Sequence, residues 1–255
     1  MLSLANSYSG YDNYAQIYNE KIGLETSRLA LPPLEKLLLP FLPQGAHILD
    51  LGCGTGQLAQ HLQLKGYQVT GIDCSKGMLN YARNNAPDVN FILADARFFE
   101  LPSIFDGVIS TSDSLNHVMN LEDLTNVFQN VYKSLSANGL FVFDLNMEER
   151  FETDWWNGSI VGDVQDDYAW AARRSYNRDA KISQTQVTIF HLVDNNWQRT
   201  DTNLLGRCYS RSEVYSALES VGFTEVKNYD AEHDFDISEW GAGKAYFVCC
   251  KRLGE

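Results

Sequence analysis

The stretch His47-Ile-Leu-Asp50-Leu-Gly52-Cys53-Gly54-Thr-Gly56 places three glycines at every second position at the end of an apolar run. Glycine lets a backbone come close to a ligand, and a helix opening behind such a turn presents unpaired N–H groups to it. The chemistry this suits is the grip on a nucleotide-like cofactor. Nicotinamide and flavin binders use G-x-G-x-x-G. Here the third glycine of that pattern is replaced by Gln57, and an acidic residue, Asp50, stands inside the strand just before the turn. Further chemistry-bearing residues recur at the ends of later apolar runs: Asp73 after the second, Asp95-Ala96 after the third, and Ser110-Thr111-Ser112-Asp113 after the fourth, with Asn116 and His117 just beyond. A carboxylate accepts two hydrogen bonds at once. Histidine is the residue type best suited to taking a proton from an acceptor.

These residues need a scaffold that brings strand ends together. Residues 47–52, 67–73, 90–95, 105–112 and 139–146 read as buried strands. Helical patterns fill the gaps: 56–64, then 75–85 with Ser75 as N-cap, then a longer helix from Leu121 to Ser136, capped by Asn120 and closed by Gly139. Strands joined by helical crossovers imply a parallel sheet, and open α/β sheets bind ligands at the carboxyl ends of their strands. Residues 147–209 break the rhythm. An acidic stretch (Asp163, Asp166, Asp167) precedes three alternating runs separated by Asn177-Arg178-Asp179 and Asp194-Asn195-Asn196, which predicts an antiparallel meander. Ser210 and Glu213 form a capping box for a helix ending before Gly222, and two final strands are expected at 223–229 and 244–250.

With these motifs in order, the sequence resembles the class I S-adenosylmethionine-dependent methyltransferases, whose first motif is an apolar strand followed by D-x-G-x-G-x-G. The resemblance implies a single α/β domain over residues 1–255: a Rossmann-like, seven-stranded, mostly parallel sheet flanked by helices, with its last strand antiparallel and an antiparallel β meander added as a lid. It divides the chain into an N-terminal helical cover (1–44), a cofactor-binding core (45–146), the lid (147–209) and a final helix with a β hairpin (210–255). S-adenosylmethionine is the implied cofactor. Gly52, Cys53, Gly54, Gly56, Asp73, Cys74, Met78, Asp95, Ala96 and Thr111 are its implied contacts, with Asp73 on the ribose hydroxyls and Asp95 toward the adenine. The segment Tyr11-Asp-Asn-Tyr14-Ala-Gln-Ile-Tyr18 is similar to the tyrosine-rich entry of small-molecule N-methyltransferases acting on amino sugars and glycine. There Tyr14 would reach the cofactor and Tyr18 the reacting groups.

The implied reaction is methyl transfer to the N or O of a small molecule by in-line displacement, with S-adenosylhomocysteine as product. His117, Asp113 and Tyr18 are the catalytic candidates, and Asn116, Trp155, Arg207 and His233 the acceptor-binding ones; Arg207-Cys-Tyr209 is similar to a recurring Arg-x-Tyr at the end of the meander. A protein of this fold that binds S-adenosylmethionine without turnover is the alternative, and a nicotinamide oxidoreductase a third. Across 147–206 the acceptor-binding residues of the sugar and glycine enzymes find no counterpart, which leaves the acceptor open.

Composition narrows the partners. Of 255 residues, 33 are Asp or Glu and 20 Lys or Arg, a net charge of −13 spread over both halves, so the phosphate grip that nucleic-acid binding needs is missing. Strand four also ends without the proline pair of adenine methyltransferases. No apolar run reaches a membrane span, the first residues carry no basic stretch, and the five cysteines and five histidines show no metal-ligand spacing. A cytoplasmic protein with no metal and no membrane or nucleic-acid partner is expected. The loop Asp230–Gly243, rich in acids and containing His233, is expected to roof the site and draw in a cationic or amine acceptor.

Overall fold

The computed structural model describes residues 5–154 and 156–252. Two N-terminal helices, α1 (Ala5–Ile17) and α2 (Gly23–Leu37), are joined by one π-helical turn, Tyr18–Ile22. The core alternates β1 (His47–Leu51), α3 (Gln57–Leu64), β2 (Gln68–Asp73), α4 (Lys76–Asn85), β3 (Asn90–Leu93), β4 (Phe105–Ser110), α5 (Leu121–Ser134) and β5 (Leu135–Asn146). A short helix α6 (Glu148–Phe151) leads into β6 (Ile160–Val164), β7 (Tyr168–Asn177), β8 (Ile182–Val193) and β9 (Asn196–Arg207). The chain closes with α7 (Arg211–Val221), β10 (Thr224–Asp230), α8 (Ala231–Phe235) and β11 (Lys244–Cys250).

The main sheet has the order β10-β11-β5-β4-β1-β2-β3. Pairs among β1 to β5 are parallel, and β11 runs antiparallel to both β5 and β10. The strand order reverses between β1 and β4, which opens a crevice at their carboxyl ends. Helices cover both faces, as a parallel sheet requires. On one, the apolar stripe of α5 (Leu124, Val127, Phe128, Val131) and that of α7 (Val214, Ala217, Leu218) bury against Phe141, Phe143 and Phe247, whose rings stack. On the other, Leu29, Leu34 and Leu38 from the N-terminal segment and Leu58 and Leu62 of α3 enclose Ile48, Ile109 and Val142. Among the described residues no helix is long and apolar enough to cross a membrane.

Caps form where the sequence placed them. Ser75 accepts the Met78 N–H, Asn120 that of Asp123, and Ser210 with Glu213 makes the reciprocal box, while Gly222 ends α7 at φ +108°. Two expectations shift. Helix α5 stops at Ser134 because Leu135 turns into the core and pairs with Phe105, so Gly139 lies inside β5 beyond a register slip rather than closing a helix. The lid has a fourth strand, β6, built on residues that read as an acidic stretch; Asp163 there is 2.8 Å from Lys21. The lid sheet is antiparallel throughout, in the order β6-β7-β8-β9, and α1 packs against both α4 and β9.

Candidate active site

The glycine turn after β1 has all three of its glycines at positive φ: Gly52 at +77°, Gly54 at +52° and Gly56 at +79°. A Cβ on Gly52 would lie 2.8 Å from the Ser114 side chain, and one on Gly56 3.0 Å from the Ala82 backbone, so both are fixed by conformation and space together. The Gly54 N–H instead donates to Asp73 Oδ2 at 2.9 Å, and the Ser75 N–H donates to Asp73 Oδ1 at 2.8 Å. Each Asp73 oxygen keeps a lone pair for a ligand hydroxyl. Burial pushes this carboxyl above its usual range, and the backbone donors oppose the shift.

Beside this turn a cleft runs along the strand ends, about 770 Å³ counted to its open mouth. Its apolar slot is made by Ile72, Met78, Ala94, Leu115 and Val118, between Asp73 and the Asp95-Ala96 pair. Asp95 is tied to Arg97, whose Nη2 donates to its Oδ2 at 2.6 Å, so it reaches the cleft as part of an ion pair. Cys74 lines the cleft and Cys53 lies buried at the turn; burial pushes both thiols up, away from any thiolate role. Thr111 borders an adjoining groove with Tyr18, Thr26, Gln57 and Asp50. Asp50 is 2% exposed, and its Oδ2 has no hydrogen-bond partner among the described residues. Burial first, and the Asp73 charge second, push its carboxyl up to about 7. Such an orphaned acid is a receptor for a cation.

At the end of β4 two consecutive non-glycine residues, Ser112 (φ +59°) and Asp113 (φ +54°), adopt the left-handed conformation. Their N–H groups donate to Oδ2 and Oδ1 of Asp144 at 2.8 and 2.7 Å. Asp144 is fully buried and stands 2.7 Å from the equally buried Lys244 Nζ, which lies 3.4 Å from Asp113 Oδ1. The ion pair therefore holds a strained turn whose cost the surrounding structure must cover. Sequence reasoning passed over both residues, although a lone charge inside each of the apolar strands FVFDLN and KAYFVCC was the signal.

His117 follows on the same loop. Its Nδ1 lies 2.6 Å from the Leu205 carbonyl oxygen, which can only accept, so Nδ1 carries the proton. The bare Nε2 lies 2.7 Å from the Tyr11 hydroxyl, which donates to it. Tyr11, absent from the sequence-derived candidates, lies on the helical face that also carries Tyr14 and Tyr18, at spacings of three and seven. Tyr11 and Tyr18 reach the cleft, whereas Tyr14 turns toward the lid, its ring 6.1 Å from that of Trp170. Tyr14 thus stands in the lid chamber rather than against the cofactor cleft. The Tyr18 hydroxyl is 3.3 Å from Thr26 Oγ1, and burial pushes the phenol up to about 12.

The lid chamber, about 900 Å³ to its mouth, lies between α1, the inner face of the lid sheet and α6. Strand alternation selects its walls. Ala172 and Arg174 on β7, Ser183 and Thr185 on β8, and Leu204 and Gly206 on β9 share the inward face, in cross-strand register. Arg207 has the opposite parity. It packs over the Tyr209 ring at 5.3 Å and lies 3.5 Å from Glu213, so it does not join the chamber. Asn116 borders the chamber, yet its side chain is spent on backbone: it accepts the Asn146 N–H at 2.8 Å and donates to the carbonyls of Asn146 and Arg207. It clamps the lid to the core. His233 stands on α8 with its side chain 88% exposed beside Asp234, far from chamber and cleft. Its acidic loop packs by α2, where Lys36 donates to the Asp234 carbonyl and Arg28 pairs with Glu239, and Asp230 caps α8. The expected acidic roof is therefore not at the chamber. Trp155 lies outside the described residues. Asp113 and His117 do line the chamber, together with Trp156, and Arg150 and Arg174, which the sequence did not single out, join them.

A Rossmann-like sheet with its order reversing beside a glycine turn, an acid at the next strand end, and an antiparallel lid over the crevice define a methyltransferase architecture. Residues 48–139 match the family model of the methyltransferase domain. The chain is 26% identical to YqeM of Bacillus subtilis (strain 168), which carries a methyltransferase name, over 84% of this chain and 86% of that one. It is 28% identical over 120 residues to the dTDP-3-amino-3,4,6-trideoxy-alpha-D-glucopyranose N,N-dimethyltransferase of Streptomyces venezuelae, covering 47% of this chain and 51% of that one. The crystal structure of a S-adenosylmethionine-dependent methyltransferase from Clostridium acetobutylicum ATCC 824 superposes with a TM-score of 0.74 at 18% identity, over 95% of this chain and 99% of that one. These matches support a class I S-adenosylmethionine-dependent methyltransferase, with S-adenosylmethionine as the cofactor. The residues present fit that molecule: the orphaned carboxylate of Asp50 suits its ammonium, Asp73 its ribose, and the apolar slot at Ile72, Met78 and Leu115 its purine.

Proposed function

We propose that this chain methylates the N or O of a small-molecule acceptor held in the lid chamber. One observation carries the reading: Tyr11, Tyr18, Ser112 and His117 line both the cofactor cleft and the chamber, so the two spaces share a wall across which a methyl group can pass. When bound, S-adenosylmethionine supplies a methyl group on a sulfonium, an electrophile that needs no further activation. The chain's own residues then have three tasks. Asp50, Asp73 and the Gly52–Gly56 turn hold the cofactor. The strained Ser112-Asp113 turn, Tyr18 and the lid align the acceptor and exclude water, which turns an encounter into an in-line displacement.

The third task is the proton. A nucleophilic N or O must shed its hydrogen, and Tyr11 with His117 forms a path for it: the phenol oxygen takes the acceptor's proton while its own moves to His117 Nε2 over 2.7 Å. The Leu205 carbonyl holds the imidazole in the tautomer that leaves Nε2 open. Asp113, within reach of the chamber, is placed to orient an amine. The amino-sugar dimethyltransferase among the relatives supports a nitrogen acceptor.

The test is a two-part titration. Calorimetry with S-adenosylmethionine and S-adenosylhomocysteine measures the cofactor site, and release of labelled methyl to a panel of small amines, alcohols and acids measures turnover. Cofactor binding with labelled product supports the reading. Binding with no transfer across the panel would instead favour a sensor of the same fold.

A further inference from the structure

The chamber's charge runs opposite to the protein's. In a chain of net charge −13, the only permanently charged side chains among its described lining residues are Arg150, Arg174 and Asp113. Arg150 is 4% exposed on α6, and Arg174 rises from the inward face of β7, 24 residues later in sequence. Their guanidinium carbons stand 5.6 and 5.0 Å from the centroid of one ring, that of Trp156. The one carboxylate, Asp113, is already 3.4 Å from Lys244. Thr185, the direct cross-strand neighbour of Arg174, and Ser183 add hydroxyls to the same wall.

We infer that Arg150, Arg174 and Trp156 form an anion subsite of the chamber, which takes a carboxylate or phosphate group carried by the methyl acceptor. This rests on the methyl-transfer reading and deepens it: the acceptor bears an oxyanion at the end held by the arginines and presents its N or O toward Tyr11 and His117.

The physical argument is one of complementarity. Two guanidiniums on the wall of one chamber, with the Ser183 and Thr185 hydroxyls beside them, present a cluster of N–H and O–H donors and a local positive charge to a single oxyanion. Burial lowers both guanidiniums, Arg150 to about 10; the Asp113 carboxylate opposes the shift at both, and Arg174 adds to it at Arg150. Their neighbours on the same inward face, Ala172 and Leu204, are neutral, so the charge on this wall is confined to the arginines. Arginine's planar fork suits bidentate recognition of carboxylate and phosphate alike, so the pair can anchor one end of a ligand while its other end reacts.

The experiment uses the full chain saturated with S-adenosylhomocysteine. Inorganic phosphate and, separately, malonate are titrated while the side-chain Nε–H resonances of the arginines are followed by NMR. Shifts of Arg150 and Arg174 are expected with at least one probe, and which probe binds tighter separates a phosphate from a carboxylate. Arg174→Gln should weaken that probe by about tenfold or more, Arg174→Lys by less, and neither should move the S-adenosylhomocysteine affinity. Arg150→Lys, which keeps the buried charge, is the second variant. Absence of shifts with either probe, or equal probe affinity in wild type and Arg174→Gln, overturns the subsite. Because the readout is binding, it is independent of turnover: arginine-dependent probe binding in a protein that transfers no methyl would retain the subsite and refute the catalytic reading instead.

Discussion

Replacing Asp50 by asparagine separates what this residue does for the cofactor from what it does to the fold. The carboxyl is buried, its Oδ2 lacks a partner, and its pKa rises from 3.8 to about 7. A folded-state pKa above the unfolded one means that the native state binds the extra proton, so stability is highest at low pH and falls as pH rises from about 4 to 7. At about 1.4 kcal/mol per unit, the ionised Asp50 costs the cofactor-free protein about 4 kcal/mol by pH 8, of which about 3 kcal/mol develops between pH 5 and pH 8. Asparagine is isosteric and does not titrate. It leaves an amide hydrogen in the same buried place, at a cost of about 1–3 kcal/mol that does not change with pH. The difference in unfolding free energy between Asp50→Asn and wild type should therefore move in the variant's favour by about 3 kcal/mol from pH 5 to pH 8, whatever its starting value. Urea unfolding at the two pH values measures this double difference, and the fixed amide cost cancels. Calorimetry at pH 8 should show the opposite sign for function: loss of a charged hydrogen bond to the cofactor's ammonium weakens binding by about 10- to 150-fold. In wild type the same linkage makes cofactor affinity climb as pH rises toward 7 and level off above it. A stability difference that stays flat between pH 5 and pH 8 would refute the buried-charge account, and unchanged cofactor affinity would refute the ammonium contact.

Asp73→Ala removes the acceptor for two ribose hydroxyls as well as the anchor of Gly54 and Ser75; cofactor binding should weaken by about 2–3 kcal/mol, and unchanged affinity in calorimetry would mean that the ribose site lies elsewhere. Tyr11→Phe should lower the methyl-transfer rate by about 10²-fold with cofactor affinity within a few-fold of wild type, and adding His117→Ala should cost little more because the two act as one path. Fully multiplicative losses in that double variant would dissolve the pairing. Lys244→Met leaves Asp144 buried without its ammonium and should cost about 3–5 kcal/mol in urea unfolding, partly recovered by adding Asp144→Asn. A loss below about 1 kcal/mol would show that the Ser112-Asp113 turn holds without the ion pair.

The strand-end cleft was legible because its signals are local. A strand, a glycine turn and a helix lie within eighteen residues, Asp73 ends β2 and Asp95 lies just beyond the end of β3, so chain order and sheet topology together forced them to one edge. Where the acceptor candidates stand was less legible for a matching reason. Arg207, Asn116 and His233 are the residue types that bind substrates, but alternation along β9 turned Arg207 outward, backbone groups consumed Asn116, and α8 carried His233 to the surface by α2. The acidic loop read as an attractant for cations proved to be a helix cap and a set of surface ion pairs.

The sequence by itself determined the sheet, its carboxyl-edge cleft and the class of cofactor, since each follows from apolar periodicity and a few residues at fixed spacing. Only the tertiary structure decided that Tyr11 meets His117, that Asp144 and Lys244 hold the turn between them, and that Arg150 and Arg174 face one chamber under a negatively charged protein. Those contacts join positions some 25 to more than 100 residues apart, on elements whose facing sides are set by how the lid sheet and α1 pack over the core, and no local spacing encodes which side that will be.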